Sequence, residues 1–353
     1  MDKHKIWAIG FLVYVSLLLG IVGGITGYID PFFHYHGPVE SLQYPLDTTR
    51  YQNPGIVRHF DYDAMIVGTS MTDNFRTSEF DRLFGTNTVK IPTQGGSFAE
   101  VWQNLELALE SNPNMKTVLF AFDFWLINQI TQGSEIGDSI PAFLYDQNPF
   151  NDVNYLLNKE VFFSNTLHVL TYTRQGNTTT SFDDYDHWRE RDFGRDVTLS
   201  NYSRPEKATA TWTVDREYVA LLEAKLEEQM LSLIRAYPDV NFYIYFPPYS
   251  TIFWDSSNQY NSLENDIIKL RETSRILLGE KNVRLYSFHD DFEITTDLNN
   301  YRDDCHHTPE INSRILMAIH NGQHQLTLEN YAEYWDRVLD FYRVYDFESL
   351  FIN

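Results

Sequence analysis

The chain is 353 residues long, enough for one large domain or two smaller ones. Its 43% apolar and 22% charged residues supply a full core and argue against wholesale disorder. Acidic residues outnumber basic ones 49 to 27; the formal charge of −22 repels nucleic-acid phosphate and, at long range, polyanionic wall polymers. Cys305 is the only cysteine, so an internal disulfide framework or a multi-cysteine metal site is excluded.

Residues Ile6 to Tyr28 carry no charge, and at 1.5 Å per residue this run of roughly 23 residues spans about 30 Å as a helix. Lys3 and Lys5 precede it and no Lys or Arg follows until Arg50, which predicts an inside N-terminus and an extracytoplasmic bulk. Trp7 and Tyr28 sit where interfacial aromatics belong. A cleaved signal peptide would have a shorter apolar core, and no A-x-A-like site precedes Asp30, so an uncleaved anchor is expected. Residues 30–60 lack a period and read as an extended lead-in.

Alternating elements follow. Ala64–Gly68 is a short apolar strand ending in Gly-Thr-Ser, and Thr88–Ile91 is a second ending in Gln94-Gly95-Gly96-Ser97. Phe98 to Asn112 has a helical stripe, and Thr117–Phe122 is a third strand. From about 128 to 205 the rhythm breaks, with one helix predicted from Val153 to about Tyr172. Val219 to Ile234 is an amphipathic helix, Asn241–Phe246 a strand, Leu263–Leu278 a helix and Val283–Phe288 a strand. Helices from Pro309 and beyond Leu326 close the chain. This order implies an α/β fold with a mostly parallel sheet covered on both faces, and an insertion at about 128–205 placed as a cap at the strand ends.

In a doubly wound sheet, ligands collect beyond the carboxyl ends of the strands. Ser70 sits at the first such turn, where a plain helix cap is the competing reading. Gly95 and Gly96 occupy the second, where a backbone N–H can point at a ligand. The third loop, Tyr301 to Pro309, holds Asp303, Asp304, Cys305, His306 and His307. A serine attacks only if a base takes its proton, a task suited to histidine, and a carboxylate then orients the imidazole. Asp303/His306 and Asp304/His307 share the same three-residue offset, and spacing does not choose between them. Four metal ligands crowded into five residues rarely converge on one ion, and Cys305 lies between the would-be partners rather than across from them.

These residues resemble the SGNH/GDSL-type hydrolases, most closely the membrane-anchored proteins of alginate acetylation and teichoic-acid D-alanylation. Val67-Gly68-Thr69-Ser70-Met71-Thr72 is similar to the family's first block, Gln94-Gly95-Gly96-Ser97 to its second and Asp303-Asp304-Cys305-His306 to its last. The resemblance implies a flavodoxin-like three-layer α/β/α fold over residues 61–353, with Ser70 as nucleophile, His306 as base and Asp303 as its partner. It also implies an oxyanion held by the Ser70 and Gly95 or Gly96 amides. The third block departs: Phe122-Asp123-Phe124-Trp125 lacks the family's Asn, and Asn128 is a weak substitute. The Phe246-Pro247-Pro248-Tyr249-Ser250 segment and Trp254 also resemble the envelope subgroup.

The function so implied is ester hydrolysis or O-acyl transfer on an envelope or exopolysaccharide glycan, without cofactor or metal. Trp125, Tyr249 and Trp254 are candidate sugar-stacking faces, and a multi-pass membrane acyltransferase is a candidate partner; no nucleic acid is expected. A catalytically idle scaffold that binds glycan or docks an acyltransferase is the competing class.

Overall fold

The computed structural model describes residues 2–137, 140–210 and 213–352. The chain divides into two compact units, residues 1–61 with 138–181, and residues 62–137 with 182–353.

The second unit contains a six-stranded sheet: β1 Ala64–Gly68, β2 Thr88–Pro92, β3 Thr117–Ala121, β4 Asn241–Phe246, β5 Val283–Ser287 and β6 Gln325–Leu326. The spatial order is β2-β1-β3-β4-β5-β6, with the first five strands parallel and β6 antiparallel to β5. Order 2-1-3-4-5 reverses between β1 and β3, which is the topological switch where ligands collect. Every residue of β1 and β2 is buried, so the sheet is covered on both faces. The register aligns Gly68 with Pro92, Ala121 with Tyr245 and Phe246 with Ser287. All five parallel strands therefore end at one rim.

The other unit is built on the apolar helix Lys3–Ile29, which is long and apolar enough to cross a membrane. Asp30 ends it in the left-handed region, and its carboxylate accepts the N–H groups of His34, Tyr35 and His36 and the Tyr155 hydroxyl. Phe32, Leu144, Tyr155 and Val161 form the small core beyond.

Three expectations need correction. The lead-in is not extended throughout: Thr49–His59 is a helix. Gly55 lets that helix touch the backbone at Phe32 and Phe33, where a Cβ would lie 2.0 Å from the Phe32 oxygen. Residues 138–181 belong with the N-terminal region, while 128–137 and 182–205 belong with the sheet, so the expected insertion is split between the two units. The helix expected at 153–172 is broken into Val153–Leu156, a π-helical turn at Val161–Thr166 and Leu167–Arg174. Helices Thr77–Phe84 and Thr251–Gln259 escaped the sequence reading because each is under three turns long.

Two buried histidines make the sheet unit acid-sensitive. His289, just past β5, is enclosed by Tyr249, Trp254 and Trp335, and burial pushes its imidazole down to about 3. Burial likewise pushes His307 down to about 4. The unfolded imidazole, with its ordinary value of about 6.5, takes up a proton before the folded one, so stability falls as pH drops below about 6.5. Urea unfolding of the full chain in detergent should lose about 2 kcal/mol per such histidine between roughly pH 7.5 and 5. The loss should shrink in His289→Gln; an equal loss in that variant would remove His289 as a source.

Candidate active site

The turn that carries Ser70 follows from three local choices. Gly68 ends β1 where a Cβ would lie 2.8 Å from Thr72 and 2.9 Å from Ala121 on the neighbouring strand. Thr69 then caps the short turn Ser70–Thr72, accepting from the Met71 N–H, while the Thr72 N–H and hydroxyl both donate to the Thr69 carbonyl. Ser70 is left half-buried at the rim.

The loop after β5 brings His306. Tyr301 and His307 form an isolated antiparallel bridge, and the Arg302 N–H donates to the His306 carbonyl at 3.0 Å. The Tyr301 hydroxyl donates to the Pro248 carbonyl, and the Ser250 N–H and hydroxyl donate to the Asp304 carbonyl, tying the loop to the end of β4. The Asp303 carboxylate accepts the Cys305 N–H at 3.1 Å and the His306 N–H at 2.7 Å.

These supports bring Ser70, His306 and Asp303 into one line. Ser70 Oγ lies 2.7 Å from His306 Nε2, and His306 Nδ1 lies 2.9 and 2.8 Å from the two Asp303 oxygens. With Nδ1–H donating to Asp303, Nε2 is free to accept the serine proton. Burial alone would raise the Asp303 carboxyl, but hydrogen bonds from the His306 ring and from the His306 and Cys305 amides outweigh it and hold the group below the usual carboxylate range. Asp303 is thus ionised at neutral pH.

The alternatives in the loop separate on geometry. His307 is buried, with Nδ1 3.3 Å from the Thr308 carbonyl oxygen. Burial and the neighbouring Asp303 raise the Asp304 carboxyl. Burial pushes the Cys305 thiol well above its ordinary value, and Asp304 and Asp303 add to the effect, so no thiolate is available. Asp303, Cys305 and His306 each offer a ligand atom within 4.8 Å of the others, but a metal there would have to displace the Nδ1–Asp303 hydrogen bond.

The expected oxyanion donors are only partly supported. The Gly96 N–H donates to the Thr93 carbonyl at 2.9 Å, and a Cβ at Gly96 would strike the Thr93 side chain at 2.5 Å. This glycine serves the tight turn, a correction to its assignment as a donor. Gly95 is exposed with φ +57, in the left-handed region that favours glycine. Asn128 accepts from the Lys269 ammonium at 2.9 Å and lines a neighbouring cleft.

That cleft, about 860 Å³, runs from Asp304 and Cys305 past Phe124, Trp125, Tyr249 and Tyr260. It borders the triad loop from the Cys305 side; neither Ser70 nor His306 lines it. Trp125 is 60% exposed at its margin, and Tyr249, itself buried, accepts the Phe124 N–H with its phenol oxygen. Trp254 is completely buried, stacked on Tyr342 at 5.0 Å. It cannot face a sugar, because helix Thr251–Gln259 turns Thr251, Ile252, Trp254 and Asp255 inward.

Four supporting residues were not foreseen. Trp188 meets the His306 ring edge-on at 5.2 Å and 89°, and its backbone N–H donates to the Asn74 side-chain oxygen. Asp123, the helix cap of Phe124–Gln132, accepts the Thr69 hydroxyl and the Leu126 N–H. Gln94 bridges Asp73 at 2.7 Å and Asp186 at 2.8 Å. Lys90 is fully buried, its ammonium donating to the carbonyls of Asp73 and Phe75 just past the turn that carries Ser70. Burial pushes Lys90 down to about 8 although Asp73 opposes it. Burial and the charge of Asp186 push Asp73 up. A lysine within the otherwise apolar run Thr88–Ile91 was the one available signal for this cluster; Trp188 lies in an aperiodic stretch that offered none.

Comparison with protein-family models, curated proteins and solved structures yields no match. The resemblance to SGNH-type hydrolases therefore stands on the quoted blocks.

Removing the Lys90 clamp should loosen the turn that carries Ser70. Lys90→Met leaves Asp73 buried without its cation, and urea unfolding should show a loss of about 3 kcal/mol. A loss below about 0.5 kcal/mol, the range of an ordinary surface change, would show that the clamp does not matter.

Proposed function

We propose that the chain is a membrane-tethered, extracytoplasmic serine acyl-esterase or O-acyltransferase of SGNH type that acts on envelope or exopolysaccharide glycans. The observation that carries this reading is the 2.7 Å contact between Ser70 Oγ and His306 Nε2, backed by Asp303 on Nδ1. His306 takes the Ser70 proton as the oxygen attacks an ester carbonyl. Asp303 stabilises the imidazolium, which then protonates the leaving alcohol. The acyl group leaves Ser70 for water or for a sugar hydroxyl that His306 deprotonates in turn. The oxyanion would be met by the Ser70 and Gly95 amides, one such donor being worth roughly 3 kcal/mol of barrier.

The cleft beside Cys305 suits the acceptor, with Trp125 as its exposed aromatic face and the serines at 256, 257 and 262 as hydrogen-bonding groups. A net charge of −22 favours a neutral glycan or lipid-linked saccharide over a polyanion. A membrane acyltransferase that supplies the acyl group is the partner this reading calls for. The anchor is the helix Lys3–Ile29, whose composition fits an uncleaved span.

A specific observation favours the idle scaffold as the second reading: Gly96 is committed to Thr93, and no Asn stands at the end of β3. A fluorophosphonate probe separates the two. Full-length protein in detergent should be labelled, and Ser70→Ala should not. Labelling that persists in Ser70→Ala defeats the role of Ser70, and no labelling of either protein favours the scaffold. Turnover of p-nitrophenyl acetate should fall about 10⁴-fold in Asp303→Asn. It should be insensitive to chelators; loss on chelation would instead indicate metal-dependent chemistry.

A further inference from the structure

Two interleaved glycine pairs, Gly20/Gly24 and Gly23/Gly27, lie on the helix Lys3–Ile29. They do not share one environment. Leu157 lies 3.5 Å from where a Gly23 Cβ would sit, and Leu156 lies 3.4 Å from that of Gly27; nothing lies within 4 Å of Gly20 or Gly24. The result is a groove of about 780 Å³ with Leu19, Gly20 and Gly24 on one side and Phe150, Val153 and Leu157 on the other. Phe150 is 92% exposed and Val153 53%. Tyr35 and Asp152 also line it, the Tyr35 hydroxyl donating to Asp152 at 3.0 Å.

Depth along the helix decides what fills this groove. If the hydrocarbon begins at Ile6, a rise of 1.5 Å per residue puts Leu19 about 20 Å and Gly27 about 32 Å along the axis. A core about 30 Å thick therefore ends within the groove. Its lower part is level with acyl chains, and the Tyr35–Asp152 pair falls at the headgroup boundary, where tyrosine is at home. At Gly20 and Gly24, where nothing lies within 4 Å of either missing Cβ, the groove is open to those chains.

We propose that this groove and its Phe150 rim form a membrane-seated surface, filled by acyl chains of phospholipid from the leaflet at the C-terminal end of the span. The proposal rests on the reading of Lys3–Ile29 as a membrane anchor. It adds a second point of attachment: the segment around Phe150 dips into the interface as amphipathic elements do, by about 5–10 Å. An anchor alone leaves rotation about its axis free, and a second contact removes that freedom.

Spin labels test it. In full-length protein carrying Cys305→Ala, single labels are placed at Phe150→Cys and, separately, Leu12→Cys, and the protein is reconstituted in phosphatidylethanolamine–phosphatidylglycerol vesicles. The ratio of collisions with oxygen to collisions with a water-soluble nickel chelate should be highest at residue 12. At residue 150 it should be severalfold above the value for the same label in unfolded protein in solution. A lipid-like residue 12 with an aqueous residue 150 would overturn the proposal and leave the anchor standing. An aqueous residue 12 would overturn the anchor, and the proposal with it. Spin–spin broadening at residue 150 that disappears on dilution with unlabelled protein would mean that a second copy fills the groove, which also overturns it.

Discussion

The Asp303 carboxylate is the group on which the candidate site depends. It accepts two backbone N–H groups from its own loop and the imidazole of His306, so a single anion shapes the turn and orients the ring. Hydrogen bonds to a charged acceptor are worth about 1.5–3 kcal/mol each, enough to hold a half-exposed loop in one conformation. The lowered pKa of Asp303 is the same fact seen from the proton's side: protonation would weaken all of these bonds together. Ser70 lies 236 positions from His306 along the chain. Only the parallel sheet, which delivers every strand end to one rim, makes their meeting inexpensive in geometry.

The other half of the site is held by a different device. Lys90 is a buried cation that binds no substrate-accessible group and instead ties down the carbonyls of Asp73 and Phe75. Burying an ammonium in a strand is costly, and only replacing Lys90 and Asp73 together by apolar residues would avoid that cost, since removing the lysine alone leaves Asp73 buried without its cation. What the lysine supplies is direction, since it holds two main-chain oxygens that no neighbouring strand could reach. Thr69 and Asp123 do the same on the side toward β3. The turn that carries the half-buried Ser70 is thus fixed by polar contacts on both flanks.

Much of this was legible in the sequence, for physical reasons that can be named. Short apolar strands ended by Gly, Pro or Asp announce a buried parallel sheet, and β1 to β5 fall where that pattern puts them. The Asp-x-x-His offset works because a carboxylate at that distance can cap its own loop, a local effect that sequence records. Trp254 misled because an aromatic near a strand end reads the same whether it faces a cleft or the core; only the helix phase distinguishes Trp254 from Trp125. Gly96 misled for a similar reason, since a glycine that spares a clash with Thr93 cannot be told by sequence from one that frees an amide. The contacts of Trp188 were illegible altogether: they depend on where an aperiodic segment returns to the sheet.

Solvent access bears on which acyl acceptor the proposed chemistry would use. The side chains of His306 and Asp303 are 27% and 26% exposed, so water reaches both groups. An acyl group on Ser70 would then be lost to water unless the acceptor hydroxyl arrived first and excluded it. A transferase therefore needs the acceptor bound before or during acylation, and a polar-and-aromatic cleft of about 860 Å³ touches this loop behind Cys305. The half-buried, protonated Cys305 thiol lies between that cleft and His306, its sulfur 3.6 Å from the His306 ring, and would be too weak an acid to compete for an acyl group. In the proposed chemistry the residue that most resembles a rival nucleophile would act as an inert wall, and the balance between hydrolysis and transfer would be set by how well the neighbouring cleft held a sugar acceptor.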